Sequence, residues 1–214
     1  MSNNSEYAVD TAGNAVPSIS ALKQYNVVAV GRYLSLSAWK RLSEGEAQQL
    51  LDAGLSLFTV YEDANNAASC FTSALGEKDA KVAIDQAQNM IGQPYGSGIY
   101  FAVDYDASQE DYESHIKPYF VAVNQVFRSQ GNPFIVGAYG SGLICSNLLS
   151  DNLTKYTWLS MSKGFSGYSE FLGSGQWNLS QQYCQESQSF DTDLINPEKP
   201  NFGAFDRITM PAAQ

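Results

Sequence analysis

Carboxylates are the side chains of this sequence best placed to do chemistry, and they gather at the ends of apolar runs. Asp104 and Asp106 stand two apart at the end of IYFAVDYD, and Glu62 and Asp63 follow LSLFTVY. Asp10 closes EYAVD, while Asp191 and Asp193 belong to DTDLI. Like charges crowded into a concave site repel, so one acid can hold a proton while its neighbour stays ionised. Glycoside hydrolysis needs that division between a proton donor and a base or nucleophile. The rings of Tyr33, Tyr61, Tyr139, Trp158 and Trp177 lie in or near the same runs and suit stacking on sugar faces. Arg32, Gln181 and Asp193 are candidates to hydrogen-bond hydroxyl or acetamido groups.

Composition narrows the field further. Twelve basic and 22 acidic residues among 214 leave a net charge of −10. Nothing there neutralises phosphates, so neither nucleic acid nor an anionic membrane is an expected partner. With one histidine (His115) and three cysteines, a histidine-rich metal site and a four-cysteine zinc site are both excluded. No metal and no cofactor is expected. Asp104 and Asp106 also spell a D-x-D, but no nucleotide-sugar pattern surrounds it, so a metal-dependent glycosyltransferase is disfavoured. His115 sits near Pro118 in a helical stretch, away from Cys70 and Cys145, which argues against a cysteine nucleophile. An odd cysteine count (Cys70, Cys145, Cys184) fits reduced thiols and cytosolic synthesis.

These groups need elements to position them. Eight runs read as strands: Glu6–Asp10, Val27–Tyr33, Leu55–Tyr61, Ile99–Asp104, Phe134–Tyr139, Tyr156–Met161, Gln176–Gln182 and Asp191–Ile195. Ser43 with Glu46 three residues on reads as a capping box, opening a helix that closes at Gly54. Further helices are expected over about Glu77–Ile91, about Glu110–Arg128, where Pro118 delays or kinks the start, and Gly142–Ser150. Strands separated by helices predict an α/β fold, a parallel (β/α)8 TIM-like barrel trimmed of helices in its C-terminal third. Active groups of such barrels lie at the C-terminal strand ends. Alternation along a strand would point Asp104 and Asp106 the same way, into the barrel mouth. Residues 1–6 are expected to be a flexible N-terminus, 7–196 the barrel, and 197–214 a tail packed on it or partly flexible.

Several stretches resemble the DUF1906 group, glycoside-hydrolase-like domains related to the family 25 lysozymes. They are VGRYLS (Val30 to Ser35), EAQQLLDAGLSLFTVYED (Glu46 to Asp63), IGQPYGSGIYFAVDYD (Ile91 to Asp106), VGAYGSG (Val136 to Gly142), YTWLSMSKGFSGY (Tyr156 to Tyr168), QWNLSQQ (Gln176 to Gln182) and FDTDLIN (Phe190 to Asn196). The resemblance implies a barrel incomplete in its second half. It also implies acids at the end of strand one, in a D-x-E pair on strand four and in a late aspartate. Asp10, Asp104 and Asp191 fall on the aspartate positions. Asp106 falls on the glutamate position and is one methylene shorter. Three outcomes stay open: a tighter mouth, Glu62 as the acid, or loss of hydrolysis.

The expected activity is a muramidase-like hydrolysis of peptidoglycan or a related N-acetylated glycan. The alternative is a glycan-binding module that kept the cleft without turnover. Met1 to Ser5 shows no Sec-type leader, and no stretch is long and apolar enough to span a membrane. A wall substrate would therefore need a non-Sec route, as a secretion-system effector or through phage-type lysis. A monomer is expected, with an immunity or secretion partner in the effector case.

Overall fold

The computed structural model describes residues 6–183 and 189–209. The expectations for residues 1–5, Cys184 and 210–214 lie outside the described residues. Eight strands close into one barrel in sequence order: β1 (Tyr7–Asp10), β2 (Val27–Leu34), β3 (Ser56–Tyr61), β4 (Gly98–Ala102), β5 (Ile135–Gly140), β6 (Tyr156–Leu159), β7 (Leu179–Gln182) and β8 (Asp191–Ile195). The helices are α1 (Ile19–Gln24), α2 (Glu44–Asp52), α3 (Ser73–Asp85), α4 (Gln109–Asp111), α5 (Lys117–Ser129), α6 (Gly142–Ser150) and α7 (Tyr168–Ser174). Only the short α7 lies on the described chain after β6, in line with the expected trimming.

One strand departs from the parallel expectation. Strands β1 to β7 pair in parallel, but β8 runs antiparallel to both β1 and β7. The barrel mouth therefore joins the C-terminal ends of seven strands to the N-terminal end of β8. Asp191, which opens β8, pairs directly with Asp10, which closes β1. In an all-parallel barrel Asp191 would lie at the opposite end.

Strand alternation divides the apolar residues into two shells. Ala8, Ala29, Phe58, Tyr100, Trp158 and Leu179 point inward and pack on one another. Phe202, from the segment after β8, closes the base, its ring 5.5 Å from Phe58. Tyr100 donates its hydroxyl hydrogen to the Phe202 carbonyl at 2.8 Å. Outward residues such as Val30, Leu57, Phe101 and Val136 pack beneath the helices. The interior is so full that a Cβ on Gly137 would lie 2.7 Å from the Tyr100 ring. Gly137→Val is therefore expected to cost about 3 kcal/mol by overpacking, lowering Tm on the order of 10 °C. Thermal denaturation checks this, and an unchanged Tm would contradict the packing described.

Helix signals were met in part. Ser43 caps α2 by accepting the Glu46 N–H, and Gly54, at φ 82°, closes the helix. The Glu46 carboxylate does not complete the capping box: it turns to Arg32 and the Ala15 N–H. The helix expected from Glu77 starts earlier, at Ser73 under a Thr72 cap, and ends in a wide π-turn over Gln86–Ile91. Helical backbone runs without a break from Gln109 to Ser129, and Pro118 lies inside it, just after a wide π-turn over Tyr112–Ile116 that accommodates its missing N–H.

Candidate active site

A cavity of about 220 Å³ opens at the barrel mouth, lined by Glu62, Asp104, Asp191, Tyr33, Tyr139, Trp158 and Gln181 among others. These side chains share the inward parity of Val60, Ala102 and the inner shell. Glu62 lies one residue past β3, but its N–H still bonds the Leu34 carbonyl, so the alternation carries it into the mouth. Asp104 continues the parity of Tyr100 and Ala102. Its side chain makes no hydrogen bond among the described residues, and burial alone raises its pKa. Burial likewise raises Glu62; Lys40 opposes the rise through an ion pair at 3.2 Å, and the Asp104 charge adds to it. Burial also raises Asp191. Three carboxyls with raised pKa thus face one cavity, with Lys40 the cation paired to one of them.

Beneath the lining lies a second carboxyl pair. Asp10 and Asp193 are both buried, with their carboxyls side by side. Asp10 accepts the Gln181 amide N–H at 2.8 Å, and Gln181 in turn accepts the Tyr139 hydroxyl at 2.8 Å. Asp193 accepts the Trp158 indole N–H at 2.7 Å. Burial pushes Asp10 up to about 7, with the Gln181 hydrogen bond opposing and the Asp191 and Glu62 charges adding to the rise. Burial, reinforced by Asp10, raises Asp193 well above the carboxylate range. The folded chain thus keeps protons that the unfolded chain releases above about pH 4. Stability is then greatest on the acid side and falls as pH rises through about 7. Tm is expected to drop between pH 5 and pH 8 in wild type and to drop less in Asp193→Asn. Parallel pH profiles for the two proteins would contradict this.

Four predicted site residues lie elsewhere. Arg32 has outward parity on β2 and is 1% exposed. Its guanidinium pairs with Glu46 at 2.7 Å and donates to the carbonyls of Thr11 and Lys40. Tyr61 also points outward, its hydroxyl between Asp63 and Asp79 at 2.8 and 3.0 Å. Trp177 precedes β7 and packs against the α6–α7 side, its indole N–H on the Leu172 carbonyl. Asp106 accepts the Ser166 N–H at 2.7 Å and does not line the cavity. Strand alternation failed for Asp106 because β4 ends at Ala102 and the chain bends at Tyr105. Asp193 lies at 0% exposure beneath the cavity floor, bonded to the Trp158 indole.

Other residues at or beside the cavity went unpredicted. Met161 and Ser162 follow β6, so the strand-end rule applied there would have found them. Lys40 had no such signal. It reaches the site because the loop after β2 folds back, placing its ammonium 5.1 Å from the Tyr33 ring centre. Beside it, Trp39 is 72% exposed on the same loop. Among the described residues no group of His, Cys, Asp and Glu is arranged to hold a metal ion.

A closed eight-stranded barrel with carboxyls and aromatic rings around one mouth is the build of a glycoside-hydrolase-like domain. The chain belongs to the Rv2525c-like glycoside hydrolase-like domain family (DUF1906), which matches residues 20–206. It is similar to YbfG of Bacillus subtilis, 34% identical over 177 residues that make up 76% of this chain and 24% of YbfG. The chain spans about a quarter of the length of the curated relatives it matches. Among solved structures it resembles the Mycobacterium tuberculosis Tat-secreted protein Rv2525c, with a TM-score of 0.77, 22% identity and coverage of 92% and 98% of the two chains. It also resembles the catalytic domain of endolysin ply40 from Listeria monocytogenes bacteriophage P40, with a TM-score of 0.54, 12% identity and coverage of 91% and 96%. Those two likenesses show the fold.

Proposed function

We propose that this domain hydrolyses a glycosidic bond of peptidoglycan or a related N-acetylated glycan. The observation that carries the reading is that Glu62 and Asp104, from adjacent strands, share one cavity beside Tyr33, Tyr139 and Trp158. Its volume is comparable to a single pyranose ring. Glu62, protonated, gives its proton to the leaving glycosidic oxygen as the bond to the anomeric carbon breaks. Water adds its hydroxide to that carbon, and its remaining proton passes to ionised Asp104. Asp191 adds negative charge that favours the cationic transition state. Tyr33 offers its ring to the sugar, and Trp158, 1% exposed, backs the floor beneath it.

Asp106, at the glutamate position of the related lysozymes, stands off the cavity, so the proton falls to Glu62 in this reading. The same displacement favours a second reading, a binding module of the same fold without turnover. Incubation with purified peptidoglycan separates the two. New reducing ends, with products identified by mass, support hydrolysis; retention of muropeptides without products from acid to neutral pH supports binding alone. Delivery to the wall by a non-Sec route belongs to the same proposal.

A further inference from the structure

The pair beneath the cavity floor has an unusual hydrogen count. Asp193 is fully buried, and one carboxyl oxygen takes the Trp158 indole N–H. The other, Oδ2, faces no N–H or hydroxyl donor among the described residues. Its neighbour is the carboxyl of Asp10, brought alongside because Asp193 pairs with Ala8 and Asp191 with Asp10 in the antiparallel β1–β8 ladder. Two ionised carboxylates in contact without a cation would repel strongly in a buried site. A proton on Asp193 Oδ2 resolves the conflict, since it turns the oxygen without a donor into a donor toward Asp10. Asp10, already accepting from Gln181, is the member that ionises first and carries the charge once pH rises past about 7.

We propose that Asp193 is a protonated positioning residue that keeps Asp10 an anion, and that this anion fixes the polarity of the cavity floor. The anion requires the Gln181 amide to present Nε2 toward Asp10, which leaves Oε1 for the Tyr139 hydroxyl. Gln181 and Tyr139 both line the cavity, so the hidden proton sets which donors and acceptors a sugar meets. Among the described residues, the ionisable groups facing Asp10 are Asp191 and Asp193 from β8, Glu62 after β3, Tyr33 from β2 and Tyr139 from β5. None is a cation. The role in substrate positioning rests on the glycan reading above, whereas the proton assignment does not.

The test is carboxyl ¹³C NMR on full-length protein labelled at aspartate. One aspartate resonance should keep a protonated-carboxyl shift at pH 8, where Asp10 is ionised, and vanish in Asp193→Asn. Absence of that resonance, or its survival in the variant, would overturn the assignment whatever the enzyme does. Muropeptide binding supplies the second arm. Asn can accept from Trp158 and donate to Asp10, so Asp193→Asn should bind within about twofold of wild type, whereas Asp193→Leu, lacking the donor, should bind at least about tenfold more weakly. Equal loss in both variants would overturn the positioning role, and the NMR arm decides if Asp193→Leu fails to fold. Wild-type protein that binds no glycan would instead refute the glycan reading and leave the proton assignment standing.

Discussion

Glu62→Gln is expected to lower release of reducing ends from peptidoglycan by roughly 10²–10⁴-fold, the range a positioned proton donor contributes. Gln keeps the shape and can still accept from Lys40, so glycan binding should survive. Asp104→Asn should produce a loss of similar size, since its carboxylate faces the cavity with no donor among the described residues satisfying it. Asp106→Asn should lose far less, because that side chain bonds the Ser166 backbone outside the cavity. Initial rates on one peptidoglycan preparation, with melting curves to verify folding, compare the three. If Asp106→Asn proved the most damaging, proton donation would move back to Asp106. The pH profile adds a sign: activity needs protonated Glu62, so the rate should decline as pH rises through its elevated pKa. Removing Lys40 should move that decline to higher pH, because its ion pair favours the charged carboxylate.

Glu46→Ala is expected to destabilise the fold by about 3–5 kcal/mol, because it strands the buried Arg32 guanidinium without its anion. Arg32 and the Glu46 carboxylate form two contacts, at 2.7 and 3.1 Å. The other Arg32 bonds go to carbonyls that cannot balance its charge: Thr11 and Ala12 after β1 and Lys40 after β2. Glu46 also accepts the Ala15 N–H at 3.0 Å, so the substitution frees a second buried donor. Urea or thermal denaturation measures the effect, and a loss below about 1 kcal/mol would show that the carbonyls suffice. The consequence reaches the site. Arg32 ties down the carbonyl of Lys40, whose ammonium pairs with Glu62, so the variant should also disturb the carboxyl beside the cavity.

The contrast between Arg32 and Tyr33 shows how much of the site was legible. Both lie near the mouth end of β2, and a reading by strand position alone treats them alike. Parity separates them: Tyr33 shares the inward face of Gly31, and Arg32 shares the outward face of Val30 and Leu34. The same rule, applied throughout, would have moved Tyr61 outward beside Phe101 while leaving Glu62 inside. It could not have placed Asp106, because alternation holds only while the strand is paired. Nor could it have found Lys40, whose approach depends on the path of an irregular loop.

Local patterns were enough to determine the eight strands, the Ser43 cap, the Gly54 stop and the acidic strand ends, because each follows from short-range sterics and residue chemistry. Membership of a barrel family and a carboxylate-rich mouth came with them. Only the tertiary structure decided that β8 runs antiparallel, since strand direction depends on partners far away in sequence. That reversal sets Asp191 opposite Asp10 and presses Asp193 against it in the interior. A carboxyl's position can be read from its strand, but its charge depends on which other carboxyl the closed barrel brings beside it and on how little water remains between them.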